Sequence, residues 1–399
     1  MNLAEIFEKV AHKQLAKVDI PNAGSNQHEL NGIGALKDFF GTQAATNCDV
    51  GWHRFGDAEP EYANGQFTFY DARAKSVART GRTEWRLYYT GDFLAASAPG
   101  DLLVLVAEKT SKRIHALVFS KGSSWHRAAT QLFQIETEDP SFVFIPRQAL
   151  AKNQIHFLQE RIIDELDLDI TLPAKPNDAE LVLRQFPGGF PSTKEMSSFA
   201  RSCAQVEPRN PDDTLIAWLQ REEELFRALE KTIVVERLES GFADVDDFMR
   251  FSLSVQNRRK SRMGHALQNH LEQLFKQHRL HFTPQARTEG CNRPDFIFPG
   301  EQQYHDPSFS KSLLVMLGVK SSSKDRWRQV LAEADRIKNK HLCTLEAGIS
   351  EAQTNEMRRH LLTLVLPESL HPTYTPAQRR QLLSVTAFIE HVREKQTHG

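Results

Sequence analysis

Cysteine is scarce in this sequence, and neither sign of charge predominates. Four cysteines occur among 399 residues, and no Cys-x-x-Cys pair is present. Because isolated cysteines build neither a disulfide scaffold nor the usual structural zinc site, we expect a protein of a reducing cytoplasm. The formal net charge of −1 argues against a purely electrostatic, histone-like binder of nucleic acid. Local basic patches, and with them DNA binding, remain compatible with that balance.

Long apolar runs are also missing. No stretch approaches the roughly 18 apolar residues that cross a bilayer, so we expect no membrane span. Residues 1–17 alternate charged and apolar side chains, which is not the pattern of a signal peptide. Hydrophobic residues make up 40% and charged residues 25%, as in ordinary globular proteins. The length allows two domains.

The first third of the chain has the composition of a β-rich domain. Short aromatic and apolar stretches alternate with polar residues and turn residues, which predicts strands. The spacing of the apolar side chains in the first 15 residues instead predicts an amphipathic helix. The predicted elements are a helix over 1–15, a loop over 19–34, strands over 66–72 and 84–90, and a hairpin over 101–107 and 113–120.

Residues 165–213 are rich in proline and predict a linker with a short helix near 193–204. The stretch that follows is mainly helical in pattern, apart from short apolar runs that predict strands. The elements predicted there are helices over 212–239, 265–278, 325–338 and 376–394, strands at 296–298 and 313–319, and a further strand at 361–366.

The richest chemistry lies at two of these strands. Asp295 begins the run Phe296-Ile297-Phe298, and Lys320 ends the run that closes with Val319. A carboxylate and a lysine at such strand ends can converge, with the carboxylate binding a hard cation such as Mg²⁺. A lysine beside the metal can orient a water molecule or a phosphate. Two positions before Lys320 the chain has Gly318, whose side chain can supply no metal ligand. Glu333, on the helix predicted to follow, could turn its carboxylate back to the metal.

This arrangement is the PD-(D/E)XK nuclease pattern, and its displaced acid resembles the EcoRII-like type II restriction endonucleases. The resemblance is strong over about 180–399 and weaker over the first 170 residues. It rests on several short sequence motifs that occur in the same order and at compatible spacing. These motifs are residues 254–262, Thr288-Glu289-Gly290, Pro294-Asp295-Phe296, Tyr304-His305-Asp306 and residues 324–329.

The resemblance implies an α/β restriction-endonuclease-like domain preceded by a β-rich DNA-binding pseudobarrel. We therefore expect the DNA-binding domain over 1–175, a linker over 176–211 and the endonuclease domain over 212–399. It implies a type IIE enzyme of the bacterial cytoplasm that needs Mg²⁺. It further implies a homodimer that cuts duplex DNA at a CC(A/T)GG-type site before the first cytosine. A second DNA copy bound to the N-terminal domain would relieve occlusion of the catalytic cleft. A cognate cytosine methyltransferase would be the functional partner.

The same resemblance suggests catalytic roles. Asp295 and Glu333 would bind the metal, Lys320 would position water and phosphate, and Tyr304 would occupy an active-site position. One more acid often comes from the helix before the first strand. Glu272 and Glu289 compete for that role, and Glu272 is equally compatible with a plain surface residue.

Two groups of charged residues in the endonuclease domain are candidates for DNA contact. Lys324 and Arg326 can donate to guanine while Asp325 accepts from cytosine. Asp325 would cap the helix in the simpler interpretation. Arg258, Arg259, Lys260 and Arg262 form a basic cluster that would contact phosphates. Its alternative is a solvated helix end.

In the N-terminal domain, the alternation places Arg82, Glu84 and Arg86 on one face of a strand. Such a set could read a G·C pair, or simply form ion pairs on a solvated face. The resemblance favours DNA contact and adds His28 to the set. Two other functions stay open: a DNA-binding regulator with an inert nuclease core, and a repair or junction nuclease with the same core.

Overall fold

The computed structural model describes residues 3–21, 28–56, 60–77, 81–109, 111–136, 138–152, 178–204, 210–290, 292–321 and 327–397. The chain forms two compact units. Unit 1 comprises Met1–Leu172 with Ala347–Ala352 and Pro372–Thr375, and unit 2 comprises the remaining residues. No helix in the described parts of the chain is long and apolar enough to cross a membrane.

Unit 1 is built on a single eight-stranded sheet with the strand order β2-β5-β4-β3-β7-β6-β1-β8. Among the strand pairs that the structure describes in this sheet, β3 and β7 are the one parallel pair. Its strands are β1 (Phe7–Gln14), β2 (Glu29–Leu30), β3 (Ala45–Phe55), β4 (Glu61–Asp71), β5 (Trp85–Tyr89), β6 (Leu102–Glu108), β7 (Ile114–Phe119) and β8 (Val143–Ile145). Its helices are α1 (Leu3–Ile6), α2 (Leu36–Phe40), α3 (Ser124–Phe133) and α4 (Arg147–Lys152).

The β-rich character and the predicted hairpin of unit 1 are confirmed, because β6 and β7 pair antiparallel. The helix predicted over 1–15 is wrong beyond α1. The next eight residues form β1, which hydrogen-bonds to β6 on one side and β8 on the other. Phe7, Val10 and Ala11 are buried in this strand. Because a strand within a sheet that is covered on both faces loses its alternation, its apolar spacing imitated a helix.

Unit 2 contains a five-stranded mixed sheet with the order β13-β12-β11-β10-β9. The strands β11, β12 and β13 run parallel, while β10 is antiparallel to both β11 and β9. The strands are β9 (Thr283–Pro284), β10 (Phe296–Phe298), β11 (Val315–Val319), β12 (Lys340–Cys343) and β13 (Leu362–Val365). The three strands predicted in this region are thereby confirmed, and helices account for most of the rest.

The helices of unit 2 differ from the predicted ones at several ends. They are α5 (Asp178–Gln185), α6 (Thr193–Cys203), α7 (Pro211–Ser240), α8 (Val245–Gln277), α9 (Glu301–His305), α10 (Trp327–Leu331), α11 (Glu351–Arg359), α12 (Pro376–Arg379) and α13 (Val385–Thr397). The predicted last helix is interrupted because the backbone of Leu383 exchanges hydrogen bonds with Leu364 and Leu366 beside β13. The basic cluster lies inside the continuous helix α8 and is not at a helix end.

The segment predicted as a linker, 176–211, contains two packed helices, α5 and α6. Helices α5 and α6 pack against α7 in a shared apolar cluster. Val182, Met196 and Ala200 contribute their buried side chains from the two short helices. Burial of this area stabilises the segment as part of unit 2. Of the prolines that suggested a linker, Pro187 and Pro191 lie in the turn between α5 and α6, and Pro211 begins α7.

One buried carboxylate joins the two ends of unit 2. Asp212, in the first turn of α7, accepts hydrogen bonds from the backbone N–H groups of Glu368, Val385 and Thr386, at 3.1, 2.8 and 2.9 Å. The hydroxyl of Thr386 donates a fourth at 2.5 Å. The carboxylate thereby satisfies N–H groups at the start of α13, where a helix has no partners of its own.

We expect Asp212→Ala to lower the free energy of unfolding by at least about 3 kcal/mol, because buried donors lose a charged acceptor. The matched control is Asp213→Ala, whose carboxylate is exposed and whose loss should cost no more than about 1 kcal/mol. Chemical denaturation of both variants measures this difference. Equal losses in the two variants would contradict the assigned role.

Candidate active site

The predicted aspartate and lysine do converge. Antiparallel pairing sets Phe296 of β10 opposite Leu317 of β11, so the start of one strand lies beside the end of the other. Asp295 immediately precedes β10, and Lys320 immediately follows β11. The Nζ atom of Lys320 lies 3.6 Å from Oδ2 of Asp295. The paired strands therefore fix the positions of both side chains relative to each other.

Hydrogen bonds hold the Asp295 carboxylate in one orientation. Its Oδ2 atom accepts from the backbone N–H of Val319 at 2.7 Å, and its Oδ1 atom accepts from Nε2 of Gln285 at 2.9 Å. The backbone N–H of Gln285 also donates to the carbonyl of Asp295 at 3.0 Å. Sequence reasoning missed Gln285, because the position gains its meaning only when β9 pairs with β10.

Glu333 lies close enough to this pair to interact electrostatically with both residues, although it is not on a helix as predicted. It follows α10 by two residues, and Ala334 next to it has a left-handed φ of 54°. The buried ammonium of Lys340 donates to the carbonyls of Glu333 and Ala334. This contact fixes the turn that presents the Glu333 side chain.

The electrostatics of Glu333 favour a bound cation. Burial raises the pKa of Glu333; the nearby Lys320 opposes this rise, and the negative charge of Asp295 adds to it. The Oε2 atom is buried and has no hydrogen-bond partner among the described residues. A buried carboxylate oxygen without a partner carries a desolvation cost that a metal ion would offset.

Gly318 explains why the second acid is displaced. A Cβ atom at this position would lie 2.9 Å from Cγ2 and 3.1 Å from Cγ1 of Val330 in α10. A carboxylate side chain would therefore force α10 away from β11. The close packing of helix on strand excludes an acid here, and the turn after α10 supplies Glu333 in its place.

These residues fit a hard divalent cation. The described residues contain no group of three or more His, Cys, Asp or Glu side chains that could hold a metal. Two carboxylates suffice for Mg²⁺, which is commonly held by one or two carboxylates with phosphate oxygens and water as its other ligands. Asp295 and Glu333 would be those two ligands.

Comparison with known proteins agrees with this geometry. Residues 226–389 match the family model described as EcoRII C terminal. The type II restriction enzyme EcoRII of Escherichia coli is 45% identical over 201 residues, which are 50% of this chain and 50% of that enzyme. The chain thus aligns with about half the length of this curated relative. Its C-terminal part is similar to the EcoRII-like type II restriction endonucleases and has their restriction-endonuclease-like fold.

Two solved structures with lower similarity also match. Metal-depleted Ecl18kI in complex with uncleaved DNA has 19% identity and a TM-score of 0.46, covering 55% of this chain and 84% of that one. The complex of the restriction endonuclease PspGI with substrate DNA has 14% identity and a TM-score of 0.41, covering 57% of this chain and 95% of that one.

Within the matched residues 226–389, the buried Tyr304 pairs with the partly buried Glu289. The Tyr304 hydroxyl donates to Oε1 of Glu289, and the other carboxylate oxygen accepts from the backbone N–H of Asp335 at 3.0 Å. Burial opposes ionisation of Glu289, but the Tyr304 hydrogen bond and the backbone donors outweigh it, so the pKa of Glu289 is lowered. Burial and the same contact raise the pKa of Tyr304. This pair braces the turn that carries Glu333.

Glu272 has a simpler environment than Glu289. It forms an ion pair with Lys276 one turn further along α8, at 2.6 Å. This is the ordinary contact between residues four apart on a helix surface. Of the two candidates for an additional acid, Glu289 is thus the one bonded to Tyr304 and to the turn after Glu333.

The basic cluster of α8 largely serves helix packing. Arg262 is buried and forms an ion pair with Glu223 of α7, which is unsuited to the phosphate contact expected for it. Arg259 lies 2.6 Å from Glu230 and stays 62% exposed, and Arg258 stacks on the ring of Phe190 at 3.9 Å. The side chain of Lys260, and all of Lys324, Asp325 and Arg326, lie outside the described residues.

The N-terminal candidates gather at the edge formed by β2 and β5. Arg82 and Glu84 precede β5, so only Arg86 stands on the strand that was predicted to carry all three. Glu84 accepts from Arg86 and from Arg73, each at 2.6 Å, which lowers the pKa of its carboxyl group. His28 lies 2.9 Å from Asp92. The structure thus shows the ion pairs of the alternative interpretation.

The raised pKa of Glu333 predicts a specific pH dependence. In EDTA, ionisation of the buried carboxyl costs stability, so Glu333→Gln should be more stable than the wild type above the raised pKa. The difference should shrink as the pH falls through that value, where wild-type Glu333 becomes neutral. Thermal unfolding across pH 4–9 measures it.

The control for this experiment is Glu390→Gln, an exposed carboxylate on α13, which should follow the wild type. Added Mg²⁺ should stabilise the wild type and the control but not Glu333→Gln, because a ligand stabilises only the state that binds it. A Glu333→Gln protein less stable than the wild type at every pH would contradict this assignment.

Proposed function

We propose that this protein is a type II site-specific deoxyribonuclease, which hydrolyses phosphodiesters in duplex DNA with Mg²⁺. The observation that carries the proposal is the convergence of Asp295, Lys320 and Glu333 at one end of the unit 2 sheet, with one Glu333 oxygen that has no hydrogen-bond partner among the described residues. The similarity of residues 226–389 to the EcoRII C-terminal family supports it. All three residues required for hydrolysis are present, which disfavours a regulator with an inert core.

The proposed mechanism assigns a task to each side chain. Asp295 and Glu333 would hold the metal, which when bound would supply Lewis-acid chemistry by lowering the pKa of a water molecule and offsetting charge on the phosphate. The hydrogen bonds from Val319 and Gln285 keep the Asp295 carboxylate from turning away. The Lys320 ammonium, 3.6 Å from that carboxylate, is placed to bind the scissile phosphate and orient the attacking water. Tyr304 acts through Glu289 as a positioning residue.

The proposed target is a CC(A/T)GG-like site, as in EcoRII-like enzymes. Lys324, Asp325 and Arg326 directly precede α10 in the sequence. From there, the two basic side chains would donate to guanine and Asp325 would accept from cytosine. The exposed Arg259 would contact a phosphate. A cognate cytosine methyltransferase would protect the host copies of the site.

Activation by a second copy of the site belongs to the same proposal. His28, Arg82, Glu84 and Arg86 would contact this copy through the N-terminal unit. Because Arg73 and Arg86 engage both Glu84 oxygens, reading cytosine with Glu84 would require an arginine to turn to guanine or phosphate. An arginine–carboxylate pair can make this exchange at low cost at an exposed edge.

Cleavage of unmethylated plasmid DNA with Mg²⁺ tests the proposed activity. The wild type should give discrete fragments, and end-sequencing should return one target. Asp295→Ala should cut at least about 1,000-fold more slowly, because the site loses several kcal/mol of charge stabilisation. The control Asp213→Ala should cut like the wild type.

A short duplex carrying CC(A/T)GG, added in trans, should accelerate the wild type if a second copy activates it. If the protein bound DNA tightly but left it intact, with and without the added duplex, the nuclease proposal would be wrong and the regulator would be favoured. Cleavage without a constant end sequence would favour a repair or junction nuclease.

Cutting both strands of a two-fold symmetric site calls for a homodimer. A stripe of exposed apolar side chains on the first turns of α8 supports one. Val245, Phe248, Met249 and Leu253 are 75%, 44%, 48% and 51% exposed, and their spacing places them on one helix face. Exposed apolar area of this kind favours contact with another chain.

We expect Phe248→Asp with Leu253→Asp to convert the dimer to a monomer in light scattering coupled to gel filtration. The matched control pairs Leu181→Asp with Leu183→Asp, two leucines of α5 that are 37% and 39% exposed. This control should stay dimeric. Dimers in both double variants would place the interface elsewhere.

A further inference from the structure

A cavity lies in unit 2, at the opposite end of the sheet from the candidate active site. Its volume is about 670 Å³, within the range of small-molecule sites. Val315 at the start of β11 and Leu362 at the start of β13 both line it. At about 3.3 Å per residue, β11 separates this end from Lys320 by roughly 16 Å. The cavity is therefore distinct from the Asp295 site.

The charge of the cavity is one-sided. Its described lining contains no Asp or Glu but includes Lys311, Lys338, Arg358 and Lys395. None of these four cations forms an ion pair with a carboxylate in the described parts of the chain. Arg336, a fifth lining cation, is already committed, since it donates to backbone carbonyls at residues 303–309. Cations that line one cavity without carboxylate partners favour an anion in that cavity.

The floor of the cavity has the opposite character. It is formed by buried apolar side chains, among them Leu314, Ile337, Met357 and Leu364. A simple inorganic anion would contact only the cationic side chains at the rim, and the apolar floor would stay exposed to water. An apolar floor below a cationic rim suits a ligand with a flat, weakly polar group at one end and phosphates at the other.

We propose that this cavity binds a nucleoside phosphate, with the base on the apolar floor and the phosphates among Lys311, Lys338, Arg358 and Lys395. The wall residues 336–339 belong to the segment that joins Glu333 to Lys340. A ligand in the cavity would thus touch the segment that carries the Glu333 carboxylate. The proposal does not depend on nuclease activity.

Titration calorimetry of the full chain in EDTA tests the site, with ATP, pyrophosphate, adenosine and a short DNA duplex as the probes. EDTA keeps a nucleotide–metal complex away from Asp295 and Glu333. We expect one ATP per chain, with pyrophosphate and adenosine each binding at least about tenfold more weakly because each makes only half of the contacts.

The decisive variant is Lys338→Gln with Arg358→Gln, which should weaken ATP binding at least about tenfold through the loss of two charge-assisted contacts. The matched control is Lys194→Gln with Arg184→Gln, one exposed lysine and one exposed arginine from helices α6 and α5. The control, like Asp295→Asn, should bind ATP as the wild type does. Thermal unfolding establishes that both double variants are folded.

Four results would overturn the proposal. The first is no ATP binding by the folded wild type. The second is equal weakening of ATP binding in both double variants. The third is pyrophosphate binding as tightly as ATP, which would reduce the cavity to a phosphate site. The fourth is DNA binding that depends on Lys338 and Arg358 while ATP does not bind, which would assign these residues to a DNA backbone.

Discussion

The antiparallel pairing of β10 with β11 is the constraint on which the candidate active site depends. It places a residue that begins one strand beside a residue that ends the next, and so brings Asp295 within 3.6 Å of Lys320. The carboxylate is then bonded to the backbone of Val319 and to Gln285. The distance between the two side chains is therefore set by strand pairing and not by the conformation of a loop. A slip of one residue in this register would turn both away from each other.

The Glu333 carboxylate is partly buried. Lys340 donates to the carbonyl of Glu333, and one oxygen of the Glu333 carboxylate is buried without a hydrogen-bond partner among the described residues. Such a group costs folding stability, and a bound cation would offset that cost. The packing of Val330 against Gly318 moves this acid from the strand to the turn after the helix. Under the proposed function, the stability of the fold and the affinity for the metal would be opposed at this one residue.

Arginines in this protein have two kinds of surroundings. Arg262 and Arg86 hold carboxylates of their own chain, where the guanidinium joins helices or strand ends. The cations at the far end of the unit 2 sheet have no such partners among the described residues. A count of basic residues along the sequence treats these groups alike. Their value for binding an anion differs because a paired arginine must first leave its carboxylate.

The sequence by itself determined the elements that carry a strong local signal. The strands within 296–298 and 313–319, the long helix after Pro211, and the approach of Asp295 to Lys320 are all readable from residue type and spacing, whereas Glu333 was expected on a helix and lies in the turn after it. Tertiary structure decided the rest. Residues 7–14 became a strand because two neighbours pair with them, and Leu383 interrupted a helix by bonding to β13. Gln285, the role of Glu289 and the pairing of Arg262 with Glu223 depend on contacts between residues far apart in the chain. The spacing of apolar and polar residues predicts which side chains share a face of one helix or strand. The contacts named here arise only when separate helices and strands pack together.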